Sequence, residues 1–154
     1  MRLLADAMLG RLAKWLRILG HDTLYFAHAQ DQELVRLARA EDRLLLTRDR
    51  DLTKRKGLRS LLVESDRLEE QLGQLFRDLA LDAESPFPRC ARCNTTLEAL
   101  ERKEAKGRVP PYVYGRHREF TLCPRCDRVY WRGTHWQRMR ERIREIRERR
   151  VSSS

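Results

Sequence analysis

The chain has 154 residues, enough for one full core or for a compact domain with a smaller metal-stapled companion. No apolar run approaches the ~20 residues a spanning helix needs, which argues against a membrane protein. The opening stretch is broken by Asp6, Arg11, Lys14 and Arg17 and lacks the features of a signal peptide. A cytoplasmic protein with reduced thiols is therefore expected, in which paired CxxC motifs bind metal more often than they form disulfides. The net charge of +10 is unevenly spread. Residues 1–89 carry 16 Lys and Arg against 15 Asp and Glu, whereas residues 90–154 carry 17 against 8. A basic half beside a near-neutral one fits a polyanion-binding appendage; the plainer alternative is a solvated, salt-bridged surface.

Arg2–Ala5 is a short apolar strand. Residues 7–19 follow with helical spacing, since Met8, Leu12, Trp15, Leu16 and Leu19 share one face, and Gly20 supplies a stop. Residues 23–26 predict a second strand. Residues 31–40 predict a second helix, with Leu34, Val35, Leu37 and Ala38 apolar and Asp31 placed as its cap. Residues 43–47 form a nearly continuous apolar strand, as a buried parallel strand should. A charged stretch spans 48–57, a fourth strand 58–63, and a third main helix carries Leu68, Leu72, Leu75, Phe76 and Leu79, opened by Ser65 or Asp66. Strands alternating with helices predict an α/β fold with a small, mostly parallel sheet flanked by helices. Residues 82–88, with Pro86 and Pro88, are expected to link this domain (1–81) to a second one at 89–150. That second domain ends in a charged helix over 136–150 with Met139, Ile143 and Ile146 as its apolar stripe. A frayed tail is expected at 151–154.

The cysteines fall in two knuckles, CARC at 90–93 and CPRC at 123–126, with 29 residues between them. Zinc takes four tetrahedral thiolates, and each CxxC turn can offer two adjacent corners. Cys90, Cys93, Cys123 and Cys126 therefore predict a closed structural zinc ribbon, replacing a core that so short a segment would struggle to build. Iron–sulfur ligation or a redox dithiol pair are the alternatives. With four thiolates present, His117 and His135 are not needed as ligands. Around the knuckles, Tyr112, Tyr114, Phe120, Tyr130, Trp131 and Trp136 interleave with Arg116, Arg118 and Arg132. Rings that stack on bases and guanidinium groups that take phosphates suit single-stranded nucleic acid. The rings could equally be the ribbon's own small core; the three arginines are harder to explain that way.

In a parallel α/β sheet, ligands lie beyond the carboxyl ends of the strands. Asp6 follows the first strand, Asp49 and Asp51 follow the third, and Asp31 opens the helix after the second, so all four fall on one edge. Converging carboxylates need cations, and oxygen ligands suit Mg²⁺ or Mn²⁺. Such ions could support phosphodiester cleavage. Each aspartate also has a local role open to it, as a helix cap or turn former. Arg11, Lys14, Arg48 and Arg50 lie near the same edge and could hold phosphates, or simply form a solvated helix face.

The stretches LLADAMLGRLAKWLRILGHDTLYF, DQELVRLA and RLLLTRDRDL, with YWRGTHWQRM after CPRC, resemble PIN-like nucleases, and most closely the Mut-seven C-terminal RNase-domain family. The resemblance covers roughly residues 2–140. It implies a PIN-like domain coupled to a Cys₄ zinc ribbon, and a metal-dependent ribonuclease whose acidic positions carry over onto Asp6, Asp31, Asp49 and Asp51. PIN domains often use a Glu on a later helix; here Glu33 lies two residues beyond Asp31, so its side chain points elsewhere and Asp31 is the expected group. On this reading Asp6, Asp49 and Asp51 hold Mg²⁺ or Mn²⁺. Arg11, Lys14, Arg48, Arg50, Arg116, Arg118, Arg132 and Trp131 would contact RNA. The alternative is a non-catalytic RNA-binding zinc-ribbon protein with a vestigial nuclease domain.

Overall fold

The computed structural model describes residues 1–81 and 88–153. Among them, β1 (Arg2–Ala5), β2 (Asp22–Tyr25), β3 (Leu44–Thr47) and β4 (Ser60–Leu62) form an all-parallel sheet in the order β2-β1-β3-β4. A 3₁₀ turn (Ala7–Leu9) leads into α1 (Gly10–Ile18), which joins β1 to β2; α2 (Asp31–Ala40) joins β2 to β3. The short α3 (Arg50–Thr53) precedes β4, and α4 (Leu68–Asp78) follows it. Alternation along the strands sorts the core into two layers. Leu3, Ala5 and Leu46 face α1 and α4, whereas Leu4 and Leu45 face α2 and Leu52 of α3. Helices thus cover both faces of the α/β sheet, as expected.

The local differences have simple causes. Strand β2 begins one residue early because Asp22 pairs with Arg2 across β1. Asp31 does not cap α2: Gln30 holds the N-cap position and Asp31 is the first helical residue, where its charge faces the positive end of the helix dipole. The N-cap of α4 is Arg67 rather than Ser65 or Asp66, but the Ser65 hydroxyl accepts the Arg67 amide and donates to Glu70, so it organises the turn before the helix. Gly20 ends α1 as expected, with φ 97°, in a Schellman arrangement: its amide bonds Arg17 and that of His21 bonds Leu16.

The expected linker at 82–88 lies, for 82–87, outside the described residues. Beyond it, β5 (Glu98–Leu100), β6 (Phe120–Cys123) and β7 (Arg128–Tyr130) form an antiparallel sheet in the order β5-β6-β7. Two short helices, α5 (Arg102–Ala105) and α6 (Pro111–Arg116), cover one of its faces, where Ala105, Val113 and the intervening Val109 cluster with Phe120 of β6. The terminal helix, α7, runs Thr134–Ser153, past the expected end at 150 and into the stretch expected to fray; Ser154 lies outside the described residues. It leaves the ribbon and packs on α4. Ile143 is fully buried in the α1–α4 core layer, with Met139 against it. Ile146 reaches Gly73 so closely that a Cβ there would come within 2.5 Å of its Cγ2.

Candidate active edge and metal centre

Strand order turns at β1, which pairs with β2 on one side and β3 on the other. Open α/β sheets bind ligands at such a point, beyond the carboxyl ends. There Asp6 is buried, 6% exposed, and its amide donates to Leu46 O at 3.0 Å. One oxygen of its carboxylate accepts the Met8 amide at 3.0 Å and the other accepts the Thr47 hydroxyl at 2.6 Å. The same Thr47 oxygen accepts the Asp49 amide at 3.0 Å, and the Asp49 carboxylate accepts the Asp51 amide at 2.9 Å, capping α3. One hydrogen-bonded chain therefore runs Asp6–Thr47–Asp49–Asp51 across adjacent strand ends. Asp31 stands apart from it, exposed on α2; among the described residues no hydrogen bond joins it to this chain. Nor do any three carboxylates among the described residues bring one oxygen each within 4.8 Å of one another.

The four cysteines do converge. Their Sγ atoms all lie within 4.8 Å of one another, with Cys93 and Cys123 at 3.5 Å. Tetrahedral zinc with ~2.3 Å bonds sets sulfurs about 3.8 Å apart, so the cluster has the dimensions of a zinc site. Both knuckles are built alike. The amides of Asn94 and Asp127 bond the carbonyls of Cys90 and Cys123 at 2.9 and 2.8 Å, and both residues take left-handed backbone, φ 71° and 55°. Asn and Asp tolerate that region better than other residues with a Cβ. Burial disfavours thiolate at Cys93, but hydrogen bonds from Thr95 and the neighbouring cysteines outweigh it and pull the thiol down to about 6. Its hydrogen bond to Cys93, with burial and the other cysteines, pushes Cys126 up to about 12. One thiolate so near the others suppresses the rest, and a divalent cation removes that conflict. The Tyr130 hydroxyl lies 3.0 Å from Cys90 Sγ and would donate to its thiolate.

The basic residues divide between the two regions. Arg11 and Lys14 are exposed on α1, and Arg50 is exposed at the start of α3. Arg48 is half-buried beside the acidic chain; its Nη2 donates to Glu64 O at 3.4 Å, while its buried Nε has no partner among the described residues. Arg116, Arg118 and Arg132 are exposed on the ribbon side. Tyr114, Phe120 and Trp131 belong to or pack against the ribbon core, and Arg102 lies 3.8 Å over the Tyr114 ring.

Sequence reasoning passed over the residues that join these parts. Arg17, 8% exposed, donates from Nε to Thr23 O at 2.8 Å and from Nη1 to Ala91 O at 3.0 Å, inside the first knuckle. Burial lowers its pKa, and the nearby Cys93, Cys90 and Asp22 oppose that. The Asn94 side chain accepts the Thr23 amide at 3.0 Å and donates to Asp22 at 2.7 Å. The knuckle thereby covers the free edge of β2, which would otherwise offer an open ladder. Thr47 was also missed; a hydroxyl ending an apolar strand just before two aspartates was its signal.

Among the described residues, no helix is long and apolar enough to cross a membrane. No curated protein and no solved structure matches the chain. A family model for the Mut7-C RNAse domain matches residues 1–143, so the chain belongs to that family, a nuclease family whose concern is RNA, and it carries a four-cysteine cluster that could hold a metal ion such as zinc.

Proposed function

We propose that the chain is a divalent-metal-dependent ribonuclease, with its reaction centre at the carboxyl ends of β1 and β3 and a basic zinc ribbon that holds RNA. The observation that carries this reading is the Thr47 hydroxyl, which joins the buried Asp6 carboxylate at 2.6 Å to the Asp49 backbone at 3.0 Å. A buried carboxylate costs free energy, and one held at a topological switch point beside a second aspartate is better suited to a reaction than to the fold alone. Oxygen donors of this kind fit Mg²⁺ or Mn²⁺, which bind through one or two carboxylates and complete their shell with water and phosphate. Asp6 and Asp49 would hold the ion and Asp51 would support it, while Asp31 would lie where it can orient water or substrate. When bound, the ion would supply Lewis-acid polarisation and lower the pKa of water.

The chain's own residues would do the rest. Arg48, whose Nε has no partner among the described residues, and Arg50 would take the phosphate beside the cleaved bond. Arg11 and Lys14 would steer the strand along α1, and Arg116, Arg118, Arg132 and Trp131 would hold it on the ribbon. In the hydrolysis, water attacks phosphorus and the opposite P–O bond breaks, leaving a phosphate on one product and a hydroxyl on the other.

The test is cleavage of single-stranded RNA by the zinc-loaded chain with added Mn²⁺ or Mg²⁺. Asp49→Asn keeps the cap acceptor and should lower the rate by at least ~100-fold with little change in thermal unfolding. Full activity in that variant would remove the assignment. Tight RNA binding without turnover in the unaltered chain would favour the non-catalytic reading instead.

A further inference from the structure

The ribbon sheet has two faces, and α5 and α6 cover only one. On that face lie Leu100, Phe120 and Val129. Cross-strand register puts Ala99, Thr121 and Tyr130 in a row on the other face. Their far neighbour is the end of α1, Ile18 and Leu19, and Trp136 at the start of α7 closes one side. The space between is a cavity of about 430 Å³, within the roughly 300–1,000 Å³ range of small-ligand sites.

Its walls are chemically specific. Tyr130 and Trp136 offer rings, Thr121 and Glu119 offer hydrogen-bonding groups, and Arg118 and Arg132 add positive charge. The Arg132 and Arg140 guanidinium groups stand 4.6 and 5.4 Å from the centre of the Trp136 ring, cation–π contacts that hold the indole at the wall. Rings beside arginines, in the half of the chain that carries most of the +10 charge, match a nucleotide better than an uncharged ligand.

We propose that this cavity takes one unstacked nucleotide of single-stranded RNA, its base against Tyr130 and Trp136 and its phosphate on Arg118 and Arg132. The proposal rests on the ribonuclease reading and gives it a ruler. Helix α1 starts beside Asp6 and ends at the cavity; its nine residues span on the order of 14 Å. The captured nucleotide therefore sits a few nucleotides from the bond that is cut, and cleavage positions count from a single-stranded anchor rather than from a sequence.

The experiment uses the full zinc-loaded chain with Asp49→Asn, so that RNA stays intact, and a short single-stranded RNA carrying 2-aminopurine. Binding should change the fluorescence of the probe. Trp136→Ala should weaken affinity about tenfold with an unchanged salt slope, because stacking rather than phosphate contact is lost. Ala99→Trp, at an exposed sheet position facing the cavity, should fill it and weaken binding to a similar degree, with zinc content and thermal unfolding unchanged. Unaltered affinity in Ala99→Trp overturns the proposal, as does equal affinity for a duplex of the same sequence. The two readings fail separately. If RNA binding responds to Ala99→Trp but the unaltered chain cuts nothing with Mn²⁺, the ribonuclease falls and the cavity stands. If cutting and binding both ignore Ala99→Trp, the cavity alone falls.

Discussion

The parallel sheet and the ribbon solve the same problem with different means. The first is built on Leu3, Leu4, Leu45 and Leu46, all fully buried, with helices on both faces. The second has a core of Ala105, Val109, Val113 and Phe120, with α5 and α6 on one face of its sheet. So small a core is too little to offset the entropy of ordering the ribbon, and a metal held by the four cysteines is expected to supply the difference. The comparison also shows a seam. Arg17 and Asn94 bind the first knuckle to β2, and α7 begins at the ribbon and packs Ile143 and Ile146 against the α1–α4 layer. The two regions differ in what holds them together, yet each supplies a part that the other lacks.

The largest test of that contrast is removal of zinc. Structural zinc supplies about 10–16 kcal/mol in zinc-finger peptides, more than a small core can replace. Chelation should therefore abolish amide protection across β5, β6 and β7 while β1 and β3 stay protected. One amide of the parallel sheet should respond as well: that of Thr23, whose acceptor is Asn94 in the knuckle. Hydrogen exchange read residue by residue checks this. Persistent protection of β6 without metal would break the comparison. A smaller effect should come from Ile143→Ala. That side chain is fully buried in the α1–α4 layer, and its removal should leave a cavity. The cost should be about 2–5 kcal/mol in urea unfolding of the parallel-sheet region, with zinc affinity unchanged. A loss of zinc affinity instead would assign α7 energetically to the ribbon.

Much of this molecule could be read in its sequence because two strong signals cover it. Apolar runs alternating with helical spacing identify the sheet and its helices, and they put Asp6, Asp31, Asp49 and Asp51 on one edge, of which only Asp6, Asp49 and Asp51 share one hydrogen-bonded chain among the described residues. Spacing of the CxxC pairs identifies the four-cysteine cluster. What the sequence hid are contacts between segments far apart in the chain. Arg17 looks like a solvated helix residue, yet it donates to carbonyls more than seventy positions away. Asn94 looks like a turn residue, and it is one, but its side chain also covers a sheet edge. Thr47 looks like the last residue of a strand. Helix α7 shows a narrow apolar stripe without naming its partner, which turns out to be α4 rather than the ribbon beside it. Periodicity reports that a face is buried, not against what.

The seam offers the finest test, because it carries a titrating group. Burial by itself would raise the pKa of Asp22, but hydrogen bonds from Arg43 and Asn94 outweigh it and hold the carboxyl below its ordinary value of 3.8. Arg43 is 5% exposed and approaches to 2.9 Å, so this is a largely buried pairing rather than a surface ion pair. A depressed carboxylate stabilises the fold at pH values above its unfolded pKa, and that contribution is lost as pH falls through the folded value. Asp22→Asn should therefore destabilise the chain at neutral pH, and the gap between variant and parent should narrow below pH 3.8. Urea midpoints measured across that window decide it. Since Arg43 belongs to the parallel-sheet region, the effect should survive acid release of zinc, in reduced form, after Asn94 is no longer held in place. A gap that stays constant with pH would mean that Asp22 acts through shape and hydrogen bonding alone, and that the seam carries no charge-dependent stability.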